Sequence, residues 1–442
     1  MRTAIEEAKQ VRMGERSPLD LVEEALRRID AVDGRVRAWV EVDRSRALLT
    51  ARQRYDGSRH GTAVGELIGV PVGIKDIIDV DGLPTRAGAP EFAHYTPQRA
   101  ATVVERLRQE GAIILGKTAT TQFAYSDPAP TRNPWDLERT PGGSSSGSAA
   151  AVAAGMAHVA LGTQTVGSVL RPAAYCGVVG LKATHGRVST AGVIPLAWSL
   201  DHVGVFARCV ADAALTLEVI AGHDPADPRS SEAPVPPMAP SGRKPPRLAL
   251  LRGFWEARAS DEIARHIEDV AVRLASSGAT IADVEAPFSI EDVLAISQPV
   301  MRFEAARYHR DAFAKHAGEY APGIRGLIEA GLRTSEQEYE AARARQEDLR
   351  AAITALLEGH DALLLPVAPS PAPPGLQSTG DPAFCAPAST AGLPAISLPS
   401  GLSAERLPLA VQLIGRAFEE PSLLDAAAWV EARLGFDERP PL

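Results

Sequence analysis

Residues 141–155 read Pro-Gly-Gly-Ser-Ser-Ser-Gly-Ser-Ala-Ala-Ala-Val-Ala-Ala-Gly, with no side chain larger than valine after the proline. Gly/Ser-rich segments are often flexible loops, but this one runs straight into an alanine-rich helix, which makes it an ordered turn. A helix of such small side chains is stable only where other elements pack closely on it. The chain must therefore build a large core around this stretch, and 442 residues, rich in Ala and Gly and sparse in aromatics, suffice for that.

The surrounding pattern alternates short apolar runs with helical periodicity, which predicts strands exchanging with helices. A helix begins after the capping sequence Ser17-Pro18-Leu19-Asp20, and a Gly/Arg-rich loop falls near residues 57–61. Residues 67–74 read as strands delivering Lys75; 102–111 as a helix; 112–115, 158–161 and 178–181 as strands. The Pro/Ser-rich stretch 224–246 reads as a surface linker. Beyond it come a strand at 248–251, a helix at 261–277, a strand at 280–284, helices near 290–309 and 335–358, and strands at 362–367 and 395–399. The expectation is one α/β domain over 1–442, a mixed, mostly parallel sheet covered by helices on both faces. Within it we delimit N-terminal helices (1–60), a catalytic core (62–223), a variable substrate-lining region (224–340) and a C-terminal completion of the sheet (341–442).

Three pieces carry chemistry: a lysine in Gly73-Ile74-Lys75-Asp76, the serines of 144–148, and a serine in Thr165-Val166-Gly167-Ser168. A serine hydroxyl needs a base within reach to act as a nucleophile at neutral pH. No histidine stands beside these serines, so the pattern points to a Ser–Ser–Lys hydrolase with a neutral lysine as base. Other readings of the same residues fare worse. Residues 111–118 match the phosphate-loop pattern, but its variable positions Ala112-Ile113-Ile114-Leu115 are themselves a buried strand. Gly143-Ser144-Ser145-Ser146-Gly147 matches a nucleophile elbow centred on Ser145, yet no strand precedes it and no histidine lies beyond His360. A phosphate cradle in the Gly/Ser run lacks a neighbouring Lys or Arg.

The net charge of −9 argues against a nucleic-acid surface. No apolar run is long enough for a membrane span, and residues 1–30 lack the apolar stretch of a signal peptide. Cys176, Cys209 and Cys385 have no metal spacing and read as free thiols of a reducing compartment. The expectation is a cytoplasmic protein.

The motifs resemble the amidase signature family. They comprise Gly73–Asp76, the run from Pro141 to Ala150, 161–168, 171–182 from Arg171-Pro172 to Leu181-Lys182, Leu200-Asp201-His202-Val203-Gly204, Ala391-Gly392-Leu393-Pro394 and Gln412–Arg416. The likeness covers nearly the whole chain except about 224–340. It implies Lys75 as base, Ser144 as a bridging serine following a cis peptide bond, and Ser168 as nucleophile. It further implies an oxyanion hole from the N–H groups of Thr165, Val166, Gly167 and Ser168, and no metal or organic cofactor. Where the family commonly has Asp-Thr-Gly-Gly-Ser, this chain has Gln164-Thr165-Val166-Gly167-Ser168. Val166 demands a backbone that suits a β-branched residue and narrows one wall of the acyl pocket.

Arg171 lies three residues after Ser168, as in malonamidase-like members, whose arginine grips a substrate carboxylate. A structural ion pair is the equal alternative. Ala124 and Tyr125 fall in the segment that in relatives gives a backbone carbonyl to the leaving amine. The implied activity is cleavage of small or aryl amides by a monomer or homodimer, with no nucleic-acid or membrane partner. Carbamate and ester hydrolysis, the amidase subunit of a tRNA-dependent amidotransferase, and a catalytically silent scaffold are the alternatives. Gln164 and Val166 count against the amidotransferase, and retention of all three catalytic residues against the scaffold.

Overall fold

The computed structural model describes residues 2–59, 65–89 and 94–442, with the side chains of 57–59 left aside. The loop expected near 57–61 is helical through Arg59, and its remainder lies outside the described residues. Among the described residues, eleven strands form one sheet: β1 (Trp39–Val42), β2 (Pro71–Lys75), β3 (Ile113–Thr118), β4 (Val159–Gln164), β5 (Val179–Lys182), β6 (His202–Ala207), β7 (Arg247–Arg252), β8 (Thr280–Glu285), β9 (Ala362–Pro366), β10 (Ala395–Leu402) and β11 (Pro408–Ile414). Their spatial order is β1-β3-β2-β4-β6-β5-β10-β11-β9-β7-β8.

The sheet is mixed, as expected, but less parallel than the strand–helix alternation predicts. Parallel pairing joins β2 to β3 and β4, and β7 to β8 and β9; the middle is antiparallel. The reason is β6, absent from the sequence-based expectation, which returns between β4 and β5 and runs against both. The short connection from β10 to β11 then forces another antiparallel pair. Strands β2, β4, β5 and β6 are buried along their whole length, which explains their continuous apolar character.

The N-terminal region is more than helices, since it supplies β1 at one edge, and 224–340 supplies β7 and β8 at the other. The helix Pro18–Val36 starts at a capping box on Ser17, as the sequence predicts. Residues 224–246 are irregular but firmly attached. Asp224 accepts hydrogen bonds from the hydroxyls of Thr102 and Ser189 at 2.6 and 2.5 Å, Asp227 accepts from Thr190, and Met238 is fully buried. Among the described residues, no helix is long and apolar enough to cross a membrane.

The small-residue segment packs as its composition demands. Ala149, Ala150, Ala151 and Val152 of the helix Ser146–Ala153 are fully buried, and a Cβ on Gly147 would lie 2.2 Å from the Ala38 carbonyl oxygen. No side chain fits there. The phosphate-loop match at 111–118 is strand β3 with a buried structural lysine, Lys117, paired to Asp76 at 3.0 Å.

Candidate active site

Lys75 ends β2, a central strand, so its side chain is delivered into the core with no exposure. Its Nζ lies 2.7 Å from Ser144 Oγ and 2.8 Å from Thr163 Oγ1. Burial disfavours the charged amine and drives its pKa well below the ordinary lysine value, while the more distant Asp201 carboxylate acts in the opposite direction. Ser144 follows a cis peptide bond from Gly143. Gly142, before it, has φ +80°, and a Cβ there would meet Pro172 Cα at 2.8 Å.

The other serines of the run have structural partners. Ser145 is fully buried, its hydroxyl donating to the Thr163 carbonyl at 3.1 Å. Ser146 donates to the Gly142 carbonyl, and Ser148 to the Leu161 carbonyl. A nucleophile elbow on Ser145 is thereby excluded.

Ser168 sits in the turn between β4 and the helix Leu170–Cys176. Gln164 shapes that turn: its Oε1 accepts from the N–H groups of Val169 and Leu170 at 2.7 and 2.9 Å, and its Nε2 donates to Ser389 Oγ at 2.9 Å. Among the described residues, the N–H groups of Val166, Gly167 and Ser168 have no protein acceptor. Free N–H donors in such a turn are what an oxyanion requires. Val166 is not at positive φ, so the backbone suits its branched side chain, and it lines a cavity together with Ser168. Gly167 is needed because a Cβ there would lie 2.8 Å from Pro382 Cβ.

Asp201 braces the turn from the other side. Its Oδ1 accepts from Thr165 Oγ1 at 2.6 Å, and its Oδ2 from the N–H groups of Leu196 and Ala197 at 2.8 and 2.9 Å. Burial raises its pKa to about 7 against the pull of these donors. Neither Thr163 nor Asp201 stands out in the sequence. Both lie within motif segments, 161–168 and 200–204, but nothing in those segments singles them out from their neighbours.

Arg171 joins the pieces. One Nη donates to the Gly380 carbonyl at 2.7 Å; the other donates to the Gly143 carbonyl at 2.6 Å and to Thr379 Oγ1 at 3.1 Å. The peptide bearing Ser144 is thus tied to the helix that follows Ser168. The structural alternative for this arginine, expected as an ion pair, takes the form of a clamp on carbonyls.

Ser168, Arg171, Val166, Ala124 and Tyr125 share one cavity of about 220 Å³. Phe123 and Ala124 both lie at positive φ (46° and 60°), conformations rare for residues with a Cβ, in the bend that presents Tyr125 to the cavity. A larger groove of about 600 Å³, between the N-terminal segment and residues 435–442, contains none of these groups. Size alone therefore does not locate the site. Among the described residues, no cluster of His, Cys, Asp and Glu is placed to hold a metal ion.

A cis-linked serine against a buried lysine, and a second serine in a turn of free N–H groups, define an amide-hydrolase type of site. The chain belongs to the amidase family, whose pattern matches residues 20–424. It is similar to a glutamyl-tRNA(Gln) amidotransferase subunit of Anaeromyxobacter sp. (strain K), 39% identical over 96% of this chain and 94% of that protein. Among solved structures it resembles one described as an unexpected vestigial protein complex that reveals the origins of an s-triazine catabolic enzyme, with 29% identity and TM-score 0.92 over 100% of both chains. It also resembles the peptide amidase of Stenotrophomonas maltophilia, with 31% identity and TM-score 0.87 over 99% of this chain and 98% of that one. The chain is an enzyme of the amidase class, acting on carbon–nitrogen bonds of amides.

Proposed function

We propose that the chain hydrolyses an amide through a Ser168 acyl-enzyme, with Ser144 and Lys75 as its proton relay. The observation that carries this is Lys75 itself, fully buried, with hydroxyls rather than a carboxylate as its hydrogen-bond partners. A buried amine so placed is a base, not a counter-ion. As Ser168 Oγ attacks the carbonyl carbon, its proton passes to Ser144 and that of Ser144 to Lys75. The oxyanion is received by the N–H groups of Thr165, Val166, Gly167 and Ser168. Collapse breaks the C–N bond, the relay returns the proton to the leaving amine, and water releases the acyl group along the same path. The backbone near Ala124 and Tyr125 faces the leaving group. Carbamates and esters fit the same chemistry. The reading includes a cytoplasmic setting, in keeping with three unpaired cysteines. Mass-spectrometric mapping of a fluorophosphonate adduct tests it: the label is expected on Ser168, and labelling elsewhere, or none, overturns it.

A second reading has its own support. The Anaeromyxobacter amidotransferase protein is 39% identical to this chain over nearly its whole length, whereas the narrower likeness to malonamidase-like members rests on the Arg171 spacing alone. Gln164 counts against this reading less than its departure from aspartate implies, because it accepts from the turn's N–H groups as a carboxylate would. On this reading the chain releases ammonia within an assembly that acts on tRNA, and the expected absence of a nucleic-acid partner does not hold for the assembly. Co-purification of a partner protein, together with glutamine-dependent ammonia release, is the outcome it requires.

A further inference from the structure

One wall of the cavity beside Ser168 is a single helix face. Leu294, Ser297, Gln298 and Met301 of the helix Ile290–His316 all line it. Their spacing of i, i+3, i+4 and i+7 is that of one stripe of an α-helix. Leu294 and Met301 bracket a polar pair. Ser297 is 1% exposed, and among the described residues its Oγ has no hydrogen-bond partner. A buried hydroxyl without a partner is disfavoured unless something else bonds it. Gln298 is exposed and carries both a donor and an acceptor.

The rest of the lining limits the charge of what can bind. Among the described residues no Asp or Glu lines the cavity, and its one ionised side chain, Arg171, already donates to Gly143, Gly380 and Thr379. An ammonium group brought in here would lose its hydration with no carboxylate to replace it. The volume of about 220 Å³ lies below the roughly 300–1,000 Å³ of pockets for drug-sized ligands.

We propose that this helix face selects the substrate, with Ser297 and Gln298 holding the polar, uncharged far end of a small amide that carries no ammonium group. The inference rests on the reading that Ser168 meets its substrate in this cavity. It makes both residues specificity determinants that the sequence pattern does not reveal, in the region where family likeness is weakest. It also opposes free glutamine, with its ammonium and carboxylate, as the preferred amide.

The test measures ammonia release by the full chain from three primary amides: malonamide (polar, neutral), butyramide (apolar) and glutamine (zwitterionic). A p-nitrophenyl acetate burst reports Ser168 acylation separately. The expected result is a kcat/KM for malonamide at least about tenfold above the other two. A site built to hydrogen-bond a polar group discriminates strongly against analogues lacking it. Ser297→Ala and Gln298→Ala should each lower kcat/KM for malonamide about tenfold, mainly through KM, and change butyramide by less than about threefold. Gln298 is exposed, so Gln298→Glu keeps the test usable should Ser297→Ala fold poorly. It should cut malonamide turnover and narrow the gap to glutamine. Preference for glutamine or butyramide in the parent protein, or equal losses on all amides in the variants, overturns the proposal while a surviving burst leaves Ser168 chemistry intact. Absence of both the burst and any amide turnover overturns the catalytic reading beneath it.

Discussion

At the scale of single residues, the proposed chemistry turns on Lys75. Removing the proposed nucleophile should be decisive: Ser168→Ala is expected to lower turnover by about 10³-fold or more while leaving the melting temperature within about 2 °C, read by steady-state kinetics and calorimetry. The base itself predicts a pH profile. Burial holds the Lys75 pKa well below its ordinary value, which favours the neutral amine that a base must be. Acylation should fall as pH drops through that lowered pKa, not through the ordinary 10.5. Lys75→Ala should damage amide cleavage more than ester cleavage, since an amine leaving group must be given a proton. Equal losses on a matched amide and ester would remove its acid role. Lys75, Ser144 and Ser168 are legible in the sequence because each sits in a short motif with its own glycine punctuation. Thr163 and Asp201 lie in motif segments too, but their roles emerge only from the strand and turn that bring them beside Lys75 and Thr165.

Among elements, the joint between the Gly/Ser turn, the helix Leu170–Cys176 and the loop at Thr379–Gly380 depends on Arg171. Arg171→Ala leaves the buried carbonyl of Gly143 and the half-buried carbonyl of Gly380 without that donor. The cost is expected to be about 2–4 kcal/mol, seen as a lower melting temperature with similar losses on acidic and neutral amides. A selective rise in KM for an acidic amide such as malonamate, at unchanged stability, would instead restore the carboxylate-anchor role. Arg171→Lys should rescue little, because an ammonium lacks the planar fork that reaches two carbonyls. Gln164→Leu should likewise cost about 2–3 kcal/mol by stripping the acceptor from Val169 and Leu170, checked by denaturant melts. Legibility differs here too. The strands β2, β3 and β4 follow from apolar runs, but β6 escapes because it opens on the polar His202, directly after Asp201, inside a motif segment. Without β6 the sheet looks more parallel than it is.

For the molecule as a whole, the buried acids set how stability varies with pH. Asp201 holds its proton up to a pH of about 7 when folded, against an ordinary value of 3.8. Between these values the folded chain binds more protons than the unfolded one, so this group's contribution falls as pH rises from about 4 to about 7 and is level above. Glu431, also raised to about 7, adds in the same direction, whereas His158, lowered to about 3, acts oppositely over part of the range. The contribution of Asp201 therefore appears in a difference. The melting temperature of the parent minus that of Asp201→Asn should shrink as pH rises from about 4 to about 7. A difference that stays constant would mean that Asp201 is ionised throughout.

The sequence by itself determined the class of fold and the proposed chemistry: small side chains demand close packing, alternating patterns demand strands against helices, and a lysine and two serines in glycine-marked motifs without a histidine point to a neutral base. Each of these signals is local to one short stretch, although Lys75 and Ser144 themselves stand 69 residues apart. The tertiary structure alone decided that Arg171 clamps carbonyls, that Gln164 shapes the nucleophile turn, and that the helix Ile290–His316 walls the cavity. Each depends on groups brought together from distant parts of the chain, such as Arg171 with Gly380 or Ser297 with Ser168. Contacts of that kind follow from strand order and helix docking, which no short stretch of sequence encodes.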